Sequence, residues 1–215
     1  MYFCFVEGKL SYKAEERLNA ISHGIGMVLG IFGFYFLLRN NTNKTEYAIL
    51  SIVIYGLCFV VLFMASTLYH SVTNVKLKRS FRILDHISIY LLIAGTYTPV
   101  ALINLEAGNG WLIFYIVWAF AGIGTILKLF FTGKFEVISL LLYLAMGWLI
   151  VLDFQNLLDN TSNLGTQLLF LGGAFYTLGI FFYALKRIPY NHFIWHLFVL
   201  GGAINHWLFI YYDVV

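Results

Sequence analysis

Charge is the scarcest feature of this sequence: 11% of its 215 residues are Asp, Glu, Lys or Arg. Globular domains carry about 25%. Hydrophobic residues make up 61% of the chain. A water-soluble fold of this length has too little polar surface to cover them, whereas a bilayer needs none. Proline occurs only twice, and no polar tract interrupts the chain. A disordered linker and a second, soluble domain are thereby excluded. Residues 1–215 read as a single membrane domain, with residues 1–20 as its cytoplasmic N-terminal segment. Cysteine is almost absent too. Cys4 and Cys58 have no spacing that makes a disulfide framework or a CxxC site. Cys58, inside an apolar run, reads as a small core hydrophobe. No GxSxG, P-loop or dinucleotide fingerprint occurs. The last apolar stretch holds no lysine, which excludes a retinal Schiff base there. Residues 1–6 are apolar but too few for a secretory h-region, so no cleavable signal peptide is expected.

What the chain does have is seven apolar stretches separated by short polar breaks. They are Ile21–Leu38, Tyr47–Tyr69, Ile87–Leu105, Trp111–Leu127, Val137–Leu152, Leu164–Leu185 and Phe193–Tyr212. Spanning the hydrocarbon takes about 20 apolar residues, within a range of about 17–25. The fifth stretch is the short one. Helices follow rather than strands, because the stretches are long and lack period-two alternation. Glycine recurs within them, at Gly24, Gly26, Gly30 and Gly33 and again at Gly172, Gly173 and Gly179. Small residues let membrane helices approach closely. No internal repeat and no pair of broken helices of the transporter kind is evident.

Lys and Arg set the orientation. With the N terminus inside, the inner segments hold Lys9, Lys13 and Arg17, then Lys76, Lys78, Arg79 and Arg82, then Lys128 and Lys134, then Lys186 and Arg187. Only Arg39 and Lys44 fall outside. The positive-inside rule gives N-in, C-out and an odd number of spans. The net charge of +3 thus sits at inner helix ends, beside anionic lipid, and implies no nucleic-acid partner. Trp111 and Tyr115 at an outer end, and Tyr190 and Trp195 at an inner end, suit interfacial belts.

Polar residues inside a membrane are costly, so their positions inform. Five of the six histidines fall at the cytoplasmic end: His23, His70, His86, His192 and His196. His206 lies about 21 Å up the last helix from His192, at 1.5 Å per residue. His192 and His196 form HxxxH, which puts both imidazoles on one helix face. His70 arrives at matching depth from another helix as a third metal ligand, leaving the open position of a catalytic zinc site. Ser66 stands one turn before His70. Asp85 suits the outer shell of the metal, or holding its water. Plainer readings stand beside these. Asp85 can cap the helix that follows it, and Ser66 can bond the carbonyl four residues back. His86 points away from Asp85 around the helix and suits packing or an outer-shell role. His23, preceded by Asn19 as a cap, can simply anchor the first turn. His206 reads as an interhelical hydrogen-bonding histidine.

The stretch LDHISIYLLIAGTYTPV at 84–100 closely resembles the third-helix signature of the haemolysin III proteins, which belong with the progestin and adiponectin Q receptors (the PAQR group). EERLNAISHGIG at 15–26, STLYHS at 66–71, LYLAMGW at 142–148 and YNHFIWHLFVLGG at 190–202 agree with it in order, along nearly the whole chain. The resemblance is closest to the bacterial branch. It implies a seven-helix fold in the bacterial cytoplasmic membrane with zinc near the cytoplasmic face. Its S-x3-H and H-x3-H motifs fall on Ser66, His70, His192 and His196, and its helix-three aspartate falls on Asp85. Alkaline ceramidases of the wider superfamily carry a similar set. The long N-terminal extension of the animal receptors has no counterpart, so a receptor role is not expected.

Three functions follow as expectations. The first is a zinc-dependent hydrolase of a lipid amide or ester, with Asp85 as base and Ser66 steadying the water or oxyanion. The second is a regulator of membrane state with structural zinc. The third is a cytolytic or channel-like factor, against which the scarcity of charge along the helices counts.

Overall fold

A computed structural model describes the backbone of residues 2–215 and the side chains of residues 12–215. Cys4 and Lys9 therefore lie outside the described side chains. The described chain is entirely helical. Helix α1 spans Tyr2–Asn40 and α2 spans Ala48–Ser71. Helix α3, Val75–Pro99, continues into a π-helical turn, Val100–Asn104, and α4 is Gly110–Phe131. The fifth crossing is built of α5 (Glu136–Gly147), a 3-10 segment (Leu149–Asp153) and α6 (Phe154–Asp159). Helix α7 is Asn163–Ala184, and α8, Asn191–Phe209, ends in a second π-helical turn, Ile210–Val214. Seven crossings are long and apolar enough to traverse a membrane. The protein is an all-helical, multi-pass membrane protein.

Two helices begin well before the apolar stretches inside them. Helix α3 starts at Val75 rather than near Ile87, because its first turns are Lys, Leu and Arg, which form helix readily. Its cap is Asn74, whose side chain accepts from the backbone N–H of Lys76 and Leu77. Asp85 therefore sits in the middle of a helix and caps nothing. Asn19 likewise lies inside the uninterrupted α1 and is no cap for His23.

Close packing joins α1 to α2, α2 to α3 and α7 to α8, and α1 also contacts α8. The core they share includes Tyr55, Phe59, Phe63, Tyr90 and Val199. At Gly95 on α3, an added Cβ would lie 2.7 Å from Cys58 Cβ on α2. Only glycine permits that approach, and Cys58 fills the contact as a small hydrophobe.

Both interruptions near the α3 terminus are chemically satisfied. Pro99 lacks an N–H and disrupts the regular helical ladder, and the backbone leaves α-geometry just after it. The fifth crossing, short in the sequence, is completed by its 3-10 segment. There the Tyr97 hydroxyl donates to Gly147 O at 2.9 Å and accepts from Ile150 N–H at 3.0 Å. One side chain from α3 thus pairs two backbone groups that hydrocarbon would leave bare.

Candidate metal centre

His70 is the penultimate residue of α2, and His192 and His196 occupy the first turns of α8. Their ligand-capable nitrogens all lie within 4.8 Å of one another. Ring centroids are 5.2 Å apart for His70–His192, 4.9 Å for His70–His196 and 4.7 Å for His192–His196. The HxxxH spacing supplies one face and α2 supplies the third ring at the same level. These three residues could hold a metal ion.

Helix α1 fixes how the rings present themselves. Glu16 Oε1 lies 3.0 Å from His70 Nδ1, and Asn19 O lies 3.3 Å from His196 Nδ1. A carboxylate and a carbonyl only accept, so each Nδ1 carries the proton and each Nε2 keeps its lone pair. His70 Nε2 is buried with no partner among the described residues. A buried lone pair of this kind, facing two other imidazoles, fits metal binding. The carboxylate–histidine arrangement is the usual outer shell of such a ligand. Glu16 is itself paired with Lys78 in the first turn of α3. Its neighbour Glu15 accepts from the His192 backbone N–H at 3.3 Å, placing a carboxylate at the start of α8.

Ser66 and Asp85 line a cavity of about 190 Å³ that also touches His23, His192 and His196. The Ser66 hydroxyl is buried without a partner among the described residues. It does not bond the carbonyl four residues back, whereas Thr67 and Ser71 on the same helix do, at 2.7 Å each. The back-bonding reading of Ser66 thus fails, while the side chain itself is packed and buried. Asp85, half-buried, meets the open space of the cavity. Beyond the polar groups the cavity continues between apolar side chains, among them Leu92, Val100, Phe154 and Phe209.

The remaining histidines divide. His23 stacks on His196 with centroids 3.7 Å apart and rings 13° from parallel, and edges onto Phe63. Among the described residues it is not one of the three grouped histidines, and both its ring nitrogens lack partners there. His86 belongs to another cluster. Its Nδ1 lies 4.0 Å from Glu136 Oε2, which also pairs with Lys128 at 3.2 Å. Lys128 is 1% exposed. Tyr143 donates to His86 O at 3.2 Å, tying α5 to α3. His206 Nε2 donates to Leu169 O on α7 at 3.2 Å, the interhelical bond expected of it. Trp195 also lines the cavity.

Sequence reasoning missed Glu16 and the Asn19 carbonyl as the groups that orient the ligands. EERLN begins eight residues before His23, but nothing in a one-dimensional spacing says that α1 runs between α2 and α8. It also missed the Lys128–Glu136–His86 cluster, whose members come from three helices.

The model for haemolysin-III-related proteins matches residues 11–207. Hemolysin-3 of Bacillus cereus is 44% identical over 190 residues, covering 88% of this chain and 87% of the relative. The hemolysin-3 homolog of Bacillus subtilis (strain 168) is also 44% identical over 190 residues, covering 88% of this chain and 89% of the relative. The monocyte to macrophage differentiation factor of Homo sapiens is 31% identical over 207 residues, covering 92% of this chain and 85% of the relative. No solved structure matches. With the three histidines grouped at one end of a seven-helix membrane bundle and the match running through all seven crossings, the chain belongs to the haemolysin-III-related family.

Proposed function

We propose that this protein is a zinc-dependent hydrolase that cleaves an amide or ester bond of a lipid. The observation that supports this reading is that His192 and His196 of the three-histidine group line the same cavity as Asp85 and Ser66. Structural zinc sites close with four protein ligands, whereas catalytic sites keep three and leave a position open. His23, the nearest candidate for a fourth ligand, lies stacked on His196 instead. That speaks against a purely structural metal.

Imidazole ligands suit zinc. Bound there, zinc supplies Lewis acidity, polarising a carbonyl and bringing the pKa of water toward ~7. The protein's own groups do the rest. Asp85 takes the proton of the attacking water, and the Ser66 hydroxyl donates to the carbonyl oxygen as charge builds on it. Glu16 and Asn19 hold the two Nδ1 protons in place. The apolar length of the cavity receives the acyl chain.

The end of the bundle that holds the site also carries Lys13, Arg17, Lys76, Lys78, Arg79 and Arg82. By the positive-inside rule that end is cytoplasmic, so the site lies near inner-leaflet headgroups of the bacterial cytoplasmic membrane. The name of the Bacillus cereus relative suggests cytolysis. The mainly apolar lining of the cavity supports lipid binding over ion conduction.

The test is metal content and lipid turnover of detergent-purified protein carrying a tag other than polyhistidine. Bound zinc in the wild type, with Asp85→Asn retaining zinc and losing turnover of a lipid amide or ester, is the expected result. Absence of zinc under chelator-free handling, or turnover unchanged in Asp85→Asn, overturns the reading.

A further inference from the structure

The apolar half of the cavity is not uniformly apolar. His206 on α8 and Tyr176 on α7 both line it, their ring centroids 5.4 Å apart. His206 stands ten residues past His196, or about 15 Å along the helix axis. Its Nε2 donates to Leu169 O, so Nδ1 is an acceptor lone pair without a protein partner among the described residues. The Tyr176 hydroxyl likewise makes no hydrogen bond to the described residues, and the Tyr55 hydroxyl in the core is buried with no partner among them. Polar groups of this kind are costly to leave dry and unpaired.

Two glycines make room for this pair. A Cβ at Gly172 on α7 would fall within the His206 ring's own space, and a Cβ at Gly202 on α8 would lie 2.8 Å from the Tyr176 ring. Each polar ring is admitted by a glycine on the opposite helix. That reciprocal fit brings a ring with an acceptor nitrogen and a ring with a donor hydroxyl together in a cavity whose lining is mainly apolar.

We propose that Tyr176 and His206 form a polar subsite that recognises a hydroxyl carried part-way along the ligand's apolar chain. A hydroxyl is the simplest group that completes both partners, donating to His206 Nδ1 and accepting from the Tyr176 O–H. A keto oxygen accepts only, and a methylene does neither. This inference rests on the lipid-binding part of the function proposed above and narrows its substrate class to hydroxylated acyl chains. A site that hydrogen-bonds a ligand hydroxyl discriminates strongly against the analogue without it, because its buried groups are then left unpaired.

The experiment uses purified full-length protein and a set of straight-chain fatty acids. One acid is unsubstituted, and the others carry a single hydroxyl at successive positions along the same chain. Each is measured by displacement of a fluorescent fatty acid. One hydroxyl position is expected to bind about tenfold tighter than the plain chain, the effect of one well-made hydrogen bond. Tyr176→Phe removes the donor and His206→Leu removes the acceptor at similar bulk. Each is expected to abolish that preference while plain-chain affinity stays within about twofold, against the tenfold step that one bond represents. A wild type that binds the plain chain with no preference for any hydroxyl position overturns the inference and leaves the function proposed above standing. Failure to bind any chain overturns both. A preference that survives both variants also overturns the inference.

Discussion

The two walls of the cavity are built differently. In the α2 and α3 crossings, 56% and 72% of the most apolar window is buried inside the protein. In the α5–α6 and α7 crossings the figure is 11% each. His70, Ser66 and Asp85 all stand on the buried wall, where neighbours on several sides fix their rotamers. The opposite wall faces outward: α7 packs on α8, and the fifth crossing is attached through a few polar contacts, Tyr97 to the 3-10 break, Tyr143 to the His86 carbonyl, and Lys128 and His86 to Glu136. Precision of a reactive site requires packing and a supporting shell, and an apolar ligand requires a wall that it can pass. The contrast teaches that the groups needing fixed geometry were placed where burial is greatest.

Removing a ligand is the strongest way to probe the buried wall. His70→Ala, and separately the His192→Ala/His196→Ala pair, are expected to lose bound metal altogether, read by elemental analysis of folded protein. Next comes the orienting shell. Glu16→Gln keeps shape but weakens the hold on the His70 Nδ1 proton, and metal affinity is expected to fall about 10–100-fold in chelator competition. An affinity equal to the wild type would show that packing alone orients His70.

Packing supplies the third test. Gly95→Ala forces a Cβ to within 2.7 Å of Cys58 Cβ. Overpacking of that kind is expected to lower stability by about 1–3 kcal/mol in detergent melts. On the thin wall, Tyr97→Phe leaves Gly147 O and Ile150 N–H without their partner. The expected loss is about 1 kcal/mol, with faster hydrogen exchange at Ile150. The smallest effect is expected at Gly173 on α7, where an added Cβ meets nothing within 4 Å. Gly173→Ala should stabilise by up to about 1 kcal/mol through helix propensity. Equal responses at Gly95 and Gly173 would erase the distinction between the walls.

Much of the site was legible beforehand. HxxxH at His192 and His196 declares one helix face, and the alternation of spans brings His70 to the same depth. The unpartnered Ser66 hydroxyl shows the limit of local rules. Its neighbours Thr67 and Ser71 bond back along α2 as such residues usually do, while Ser66 turns to the cavity. Asp85 misled as a cap because hydropathy marks where apolar residues begin, not where hydrogen-bonded turns begin. The charged first turns of α3 are good helix formers, and helix continues through them.

Composition and periodicity by themselves determined that this chain is a seven-crossing membrane protein and which three histidines could share an ion. Both follow from local physics: apolar length against the thickness of hydrocarbon, and the angular repeat of a helix. Only the tertiary structure decided that Glu16 and the Asn19 carbonyl orient His70 and His196, that His23 stacks instead of joining the group, and that Tyr176 and His206 meet deep in the cavity. Those arrangements depend on which helices become neighbours and how they are rotated, and side-chain spacing along one strand of text carries neither quantity.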